Sequence, residues 1–158
     1  MRISLTVNRV RRDIDVKPSE RLIDVLRNKL GIKSVRAGCL VGDCGICTVI
    51  MDGKLVKSCT VLAVEANGSN IYTLEGLSEG MKPSPVQRAF VESFGYQCGY
   101  CTPAFVLTAY WISENMVNAS DKEISEVLNS IVCRCTGYKQ ILDSVRLALR
   151  WKRGGEHG

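Results

Sequence analysis

The apolar positions of this chain change their period about halfway along. "RISLTVN", residues 2–8, alternates apolar and polar, placing Ile3, Leu5 and Val7 on one face, as a half-buried strand requires. "DIDV" repeats the pattern with Ile14 and Val16 and reads as its hairpin partner. Leu22, Ile23, Leu26 and Leu30 then recur at helical spacing within "ERLIDVLRNKL", with Ser19 as the candidate N-cap and Gly31 as the stop. A glycine-rich loop, "RAGCLVGDCGIC", follows. "TVIMDGKLVKSC" predicts a second hairpin around Asp52-Gly53, and "NIYTL" a last strand.

Beyond residue 84 the period is helical. "SPVQRAFVESFG" has Pro85 at a helix start and Gly95 at its end. "TPAFVLTAYWISENM" has Thr102 as cap and Pro103 in the first turn; "SDKEISEVLNSIV" opens with a Ser120–Glu123 capping box. "YKQILDSVRLALRW" repeats Ile141, Val145 and Leu149, with Leu142 beside them. Two hairpins on one helix predict a ferredoxin-like β-grasp sheet, and four short helices a small bundle. The expected class is α+β. "EGLSEGMKPSP", residues 75–85, reads as a linker, so the expected division is a β-grasp domain over 1–76 and a four-helix domain over 77–158.

Hydrophobic residues make up 46% of the 158 and charged residues 23%, as in a folded globular chain. The longest apolar runs, "TVLAV" and "AFVLTAYWI", fall well short of the ~20 residues that span a bilayer. Arg11-Arg12 is followed by a charged, alternating stretch, which argues against a twin-arginine signal, and the expected compartment is the cytoplasm. Eight cysteines in that compartment point to metal or redox chemistry in place of structural disulfides. The single histidine, His157, lies in a tail expected to be disordered. One histidine excludes a zinc finger of two cysteines and two histidines, and a Rieske centre. The formal charge of +5 falls to about +1 if all eight cysteines are thiolates on two diferric cores, so it carries no argument for a nucleic-acid partner.

The cysteines form two sets of four. Cys39, Cys44, Cys47 and Cys59 have the C-x4-C-x2-C spacing, with a fourth cysteine further on, of a plant-type 2Fe-2S site. One short loop must wrap the cluster, offer three thiolates and bring amides to the sulfurs; Gly38, Gly42 and Gly45 permit this. Four-cysteine zinc sites usually bring two C-x2-C knuckles, whereas here the second element is a lone cysteine. The second set is Cys98, Cys101, Cys133 and Cys135. Cys98-Gly-Tyr-Cys101 alone reads as a dithiol at a helix N-terminus, but no thioredoxin-like βαβ unit surrounds it. With "CRC" from a second interhelical loop it makes a tetrathiolate site that suits zinc or 2Fe-2S equally. Arg134 reads as a loop arginine bonded to carbonyls, with a charge bias on a cluster or an anchor to a partner chain as the alternatives; Tyr96, Tyr100 and Tyr138 read as packing residues, and Trp111 and Trp151 as core or interface. No G-x-G-x-x-G, P-loop or paired-carboxylate pattern is present, so substrate chemistry is expected on other chains.

"AGCLVGDCGICTV", "YQCGYCTPA" and "CRCTGYKQI" together resemble the small iron–sulfur subunit of the molybdenum hydroxylase family, which includes xanthine dehydrogenases, aldehyde oxidoreductases and aerobic carbon monoxide dehydrogenases. The resemblance runs from about residue 2 to about 150. It implies a 2Fe-2S ferredoxin-like domain followed by a four-helix 2Fe-2S domain. It implies Cys39, Cys44, Cys47 and Cys59 as ligands of one cluster, and Cys98, Cys101, Cys133 and Cys135 as ligands of the other. It further implies molybdopterin contacts from Gln97 and Cys135. The implied partners are a large molybdopterin subunit and a medium FAD subunit in a hetero-oligomer, between which this chain relays electrons. Ala104 stands where the family commonly has glycine, and Ser130, Ile131 and Val132 where it commonly has G-N-L. The competing reading is a free electron carrier or redox sensor whose second site holds structural zinc; metal content separates the two.

Overall fold

The computed structural model describes residues 1–155, and His157 lies outside the described residues. Strand β1 (Arg2–Val7) turns through Asn8 and Arg9, both in the left-handed region at φ 50° and 69°, into antiparallel β2 (Val10–Asp15). Two consecutive left-handed residues give a turn whose twist matches the strands it joins. Strands β3 (Thr48–Met51) and β4 (Lys54–Lys57) form the second predicted hairpin, turning at Asp52-Gly53 with φ 48° and 79°. The last strand, β5 (Asn70–Tyr72), runs parallel to β1 and antiparallel to β3, giving the order β2-β1-β5-β3-β4. Every second residue of β1 points inward: Ile3, Leu5 and Val7 are buried.

Those side chains pack on the helical segment the sequence predicts, although its start and its form differ. A single turn, α1 (Leu22–Asp24), widens at once into a π-helical turn over Val25–Lys29. Ser19 does not cap it; Arg21 is the N-cap and offers no side-chain bond. The first amides find backbone acceptors instead: Leu22 N donates to Val61 O at 2.8 Å and Ile23 N to Ser58 O at 3.1 Å. A helix start already tied to a neighbouring segment has no orphan donors for a serine to satisfy. Leu22, Ile23, Val25 and Leu26 are fully buried, each contributing about 1.5–3 kcal/mol of transfer free energy.

Four helices follow: α2 (Pro85–Glu92), α3 (Thr102–Asn115), α4 (Asp121–Leu128) and α5 (Lys139–Gly154). The Ser120–Glu123 capping box forms as predicted, and a second box joins Ser84 to Gln87. Thr102 is the first residue of α3 and not its cap, a place taken by Cys101. Helix α2 leaves through Phe94 at φ 52° and not through Gly95, whose amide returns to Phe90 O at 2.9 Å. Helix α3 packs against β3 on one side and α2, α4 and α5 on others, which is why its middle is apolar all round.

Two apolar cores result. One gathers β1, α1 and β3 around Leu5, Leu22 and Ile71; the other gathers the helices around Phe90, Phe105 and Ile112. The stretch expected as a linker is ordered between them. Leu74–Leu77 forms a 3-10 turn whose leucines pack on the helical core, and Glu79 and Lys82 exchange backbone hydrogen bonds. Trp111 bridges the halves, its Nε1 donating to Gly53 O at 2.7 Å. Phe105 is fully buried and meets Tyr138 edge to face at 5.9 Å. Phe105→Ala is expected to destabilise the helical half by about 3–5 kcal/mol, read as an earlier urea midpoint by circular dichroism; an unchanged midpoint would show that this contact is not part of the core.

Candidate metal centres

The β3–β4 hairpin builds half of the first site. Its register pairs Thr48 with Lys57, so Cys47, just before β3, and Cys59, just after β4, emerge at the same end. Ser58 fixes them, donating from N and Oγ to Cys47 O at 3.3 and 2.7 Å. The two thiols touch and are nearly sealed, at 2% and 5% exposure. The other half is the loop before β3. Amides of Asp43 and Cys44 at 3.3 Å and of Val41 at 3.5 Å donate to Cys39 Sγ, and Cys39 N donates to Cys44 Sγ at 3.3 Å. Lys57 reaches back from β4, its Nζ donating to Gly42 O at 2.6 Å.

Two glycines make this wrap possible. A Cβ on Gly38 would overlap Ile46 Cδ1 and lie 2.8 Å from Cys44 Sγ. Gly45 has φ 68° and would meet the Ser130 carbonyl oxygen, so the loop needs glycine there both for its turn and for its close approach to the helical half.

The second site lies where two interhelical loops meet. Cys98 and Cys101 come from the loop before α3; Cys133 and Cys135 from the loop before α5. Their side chains associate as Cys101 with Cys133 and Cys98 with Cys135. Cys98 and Cys135 are exposed, as is Gln97 beside them. Tyr138, at φ 68°, turns the chain into α5; its hydroxyl accepts from Cys133 N and donates to Ile131 O, both at 2.9 Å. Thr136 sends its amide and hydroxyl to Cys133 Sγ.

Thiol acidity follows these surroundings. The Cys44 amide, then that of Val41, bring Cys39 down to about 6. Burial pushes Cys47 up to about 11, and burial followed by the bond with Cys133 pushes Cys101 up to about 12. That is the reverse of what a dithiol redox pair at a helix N-terminus needs. Such inner thiols give up their protons readily only to a metal.

Both sets therefore arrive as pairs. Zinc takes four thiolates around one centre, whereas a 2Fe-2S core takes two at each iron. With amides aimed at sulfur, the pairing fits a 2Fe-2S core at both sites. In such a core each cluster would add a one-electron couple.

The sites are joined by their loops. Val132 N, next to Cys133, donates to Cys44 O at 2.8 Å. Tyr100, between Cys98 and Cys101, donates from its hydroxyl to Ala37 O at 2.7 Å, and the Arg36 guanidinium lies 5.5 Å from its ring centre. Tyr100 thus joins the loops, beyond the packing role expected of it. Lys57, Arg36 and Thr136 escaped sequence reasoning. A hydroxyl residue directly after C-x-C was the available signal for Thr136; nothing local marks the reach of Lys57 or Arg36. Gly38→Ala is expected to halve iron content, to about two per chain, abolishing one of two paramagnetic signals and sparing the other. Full iron in G38A would show that the loop does not wrap a cluster.

Residues 5–72 match the model of a 2Fe-2S iron-sulfur cluster binding domain, and residues 73–146 that of a [2Fe-2S] binding domain. The chain is 44% identical over 147 residues to the nicotinate dehydrogenase small FeS subunit of Eubacterium barkeri, covering 93% of this chain and 94% of that one. It is 40% identical over 145 residues to the xanthine dehydrogenase iron-sulfur-binding subunit of Escherichia coli O157:H7, covering 90% and 91%. Its fold superposes on a chain of quinoline 2-oxidoreductase from Pseudomonas putida 86 with TM-score 0.92 at 40% identity, covering 99% and 98%. With sites, fold and relatives in agreement, the chain belongs to the small 2Fe-2S iron–sulfur subunits of the molybdenum hydroxylase family.

Proposed function

We propose that this chain is the electron-transfer subunit of a molybdenum hydroxylase complex. Two 2Fe-2S clusters would supply one-electron couples between molybdopterin on a large subunit and FAD on a medium subunit. Cys39, Cys44, Cys47 and Cys59 hold one cluster, in a domain over 1–76; Cys98, Cys101, Cys133 and Cys135 hold the other, over 77–158. The observation that carries this reading is the Val132–Cys44 hydrogen bond, which brings the backbone of one loop from each four-cysteine site into direct contact. A chain that stored or sensed one electron would have no need to join its sites in this way.

Exposure supports the arrangement of partners. Cys98 and Cys135 lie open beside Gln97, with Phe94 71% and Val91 60% exposed nearby on the α2 side. This is the face assigned to the large subunit, with Gln97 and Cys135 meeting the pterin. Cys39 is exposed on the other loop, beside Val41 at 69%, and that rim is assigned to the flavin subunit. Apolar side chains left open at both rims are the kind of surface a hetero-oligomer covers. No described helix is long and apolar enough to cross a membrane. Eight free cysteines accord with a reducing cytoplasm.

Electron paramagnetic resonance of the dithionite-reduced protein, with spins and metals counted, tests this function. Two distinct signals of equal weight, with iron for two clusters and no zinc, are expected. One signal with one zinc per chain would replace the relay by a single-cluster carrier with a structural second site.

A further inference from the structure

The two sites meet their sulfurs in different ways. At the first, Cys39 Sγ is approached by the backbone amides of Val41, Asp43 and Cys44. At the second, Cys133 Sγ receives one amide, from Thr136 at 3.4 Å, and one side-chain hydroxyl, Thr136 Oγ1 at 3.1 Å. The hydroxyl is directed. Its oxygen accepts from Tyr138 N at 3.3 Å, which leaves its proton for the sulfur. Thr136 is only 9% exposed, which limits competition from water for that proton. The Tyr138 hydroxyl is itself held across the loop by Cys133 N and Ile131 O.

We infer that Thr136 is a positioning residue that sets the reduction potential of the second cluster through its hydroxyl on Cys133. The inference rests on the assignment of a 2Fe-2S cluster to Cys98, Cys101, Cys133 and Cys135. An added electron increases the negative charge on the thiolate sulfurs. A hydrogen-bond donor on one of them is therefore worth more in the reduced state, and it raises the potential. The electron comes from the neighbouring redox centre, and no bond or proton transfer accompanies it. The donors at the first site belong to the backbone and not to any one side chain. The hydroxyl belongs to one, so this chain can adjust one potential against the other at a single residue.

Redox titration of the intact complex, followed by the two paramagnetic signals, tests the inference. Thr136→Val keeps the shape and removes the donor; Thr136→Ala removes it without adding a methyl; Thr136→Ser keeps it. T136V and T136A are expected to lower the second midpoint while the first stays in place. The shift expected is about tenfold in the electron's partition between the clusters, about 59 mV for a one-electron couple. T136S is expected to stay at the wild-type value. A purely packing role would leave all the midpoints alone and make serine as damaging as alanine. Should T136V fail to hold its cluster, T136A carries the same comparison. Two signals with an unmoved second midpoint in the donor-free variants would overturn the role of Thr136 alone. Absence of a second 2Fe-2S signal in the unmodified chain would overturn the site assignment, and this inference with it.

Discussion

The bond from Val132 N to Cys44 O is the contact on which the rest of the arrangement depends. It requires two irregular loops, from halves with separate cores, to meet backbone to backbone. That is possible only if no side chain stands between them, which is why Gly45 faces the Ser130 carbonyl. It also requires the loops to be stiff. The first is stiffened by amides on Cys39 and by Lys57 on Gly42 O; the second by Tyr138, bonded to Cys133 N and Ile131 O. Trp111 on Gly53 and Tyr100 on Ala37 then fix the two halves at either side of the contact.

Each core serves this junction. In the first half, hairpin register sets Cys47 opposite Ser58 and so brings Cys59, the next residue, to the same end, and α1 is anchored on Ser58 and Val61. The segment that would otherwise fray is thus tied on both sides. In the second half, the stretch 104–109 of α3 is buried, which holds Cys101 at the helix N-terminus. Each site keeps one thiol pair turned inward and one turned outward. The inner pairs are Cys47 with Cys59 and Cys101 with Cys133; the outer pairs include the exposed Cys39, Cys98 and Cys135. An outer pair can meet a partner while the inner pair is the more shielded of the two, where electrostatic interactions are less screened.

Local chemistry explains which parts were readable before the structure. The Asp52-Gly53 turn, the Ser120–Glu123 box, the alternation of β1 and the helical repeat of Ile141, Val145 and Leu149 all formed as read. Each depends on residues close in sequence. The failures were also local readings, but ones that a distant segment overruled. Ser19 lost its capping role because the carbonyls of Ser58 and Val61 reached the helix first. The stretch "EGLSEGMKPSP" does run between the two cores, but its start is held by Leu74 and Leu77 on the helical core. Helix α2 does end by Gly95, though the left-handed residue there is Phe94.

Taken alone, the sequence determined the α+β class, the two sets of four cysteines and their loops, because spacing, period and turn residues encode those within a short window. Which thiol stands beside which, which pair faces outward, and which donors meet sulfur were decided only by tertiary structure. Cys47 and Cys59 are neighbours because of hairpin register, Cys101 and Cys133 because two interhelical loops converge, and Thr136 reaches sulfur because Tyr138 turns the chain there. A hydrogen bond a few ångströms long depends on where both backbones have been carried, and that is settled by the packing of whole elements rather than by any one stretch of sequence.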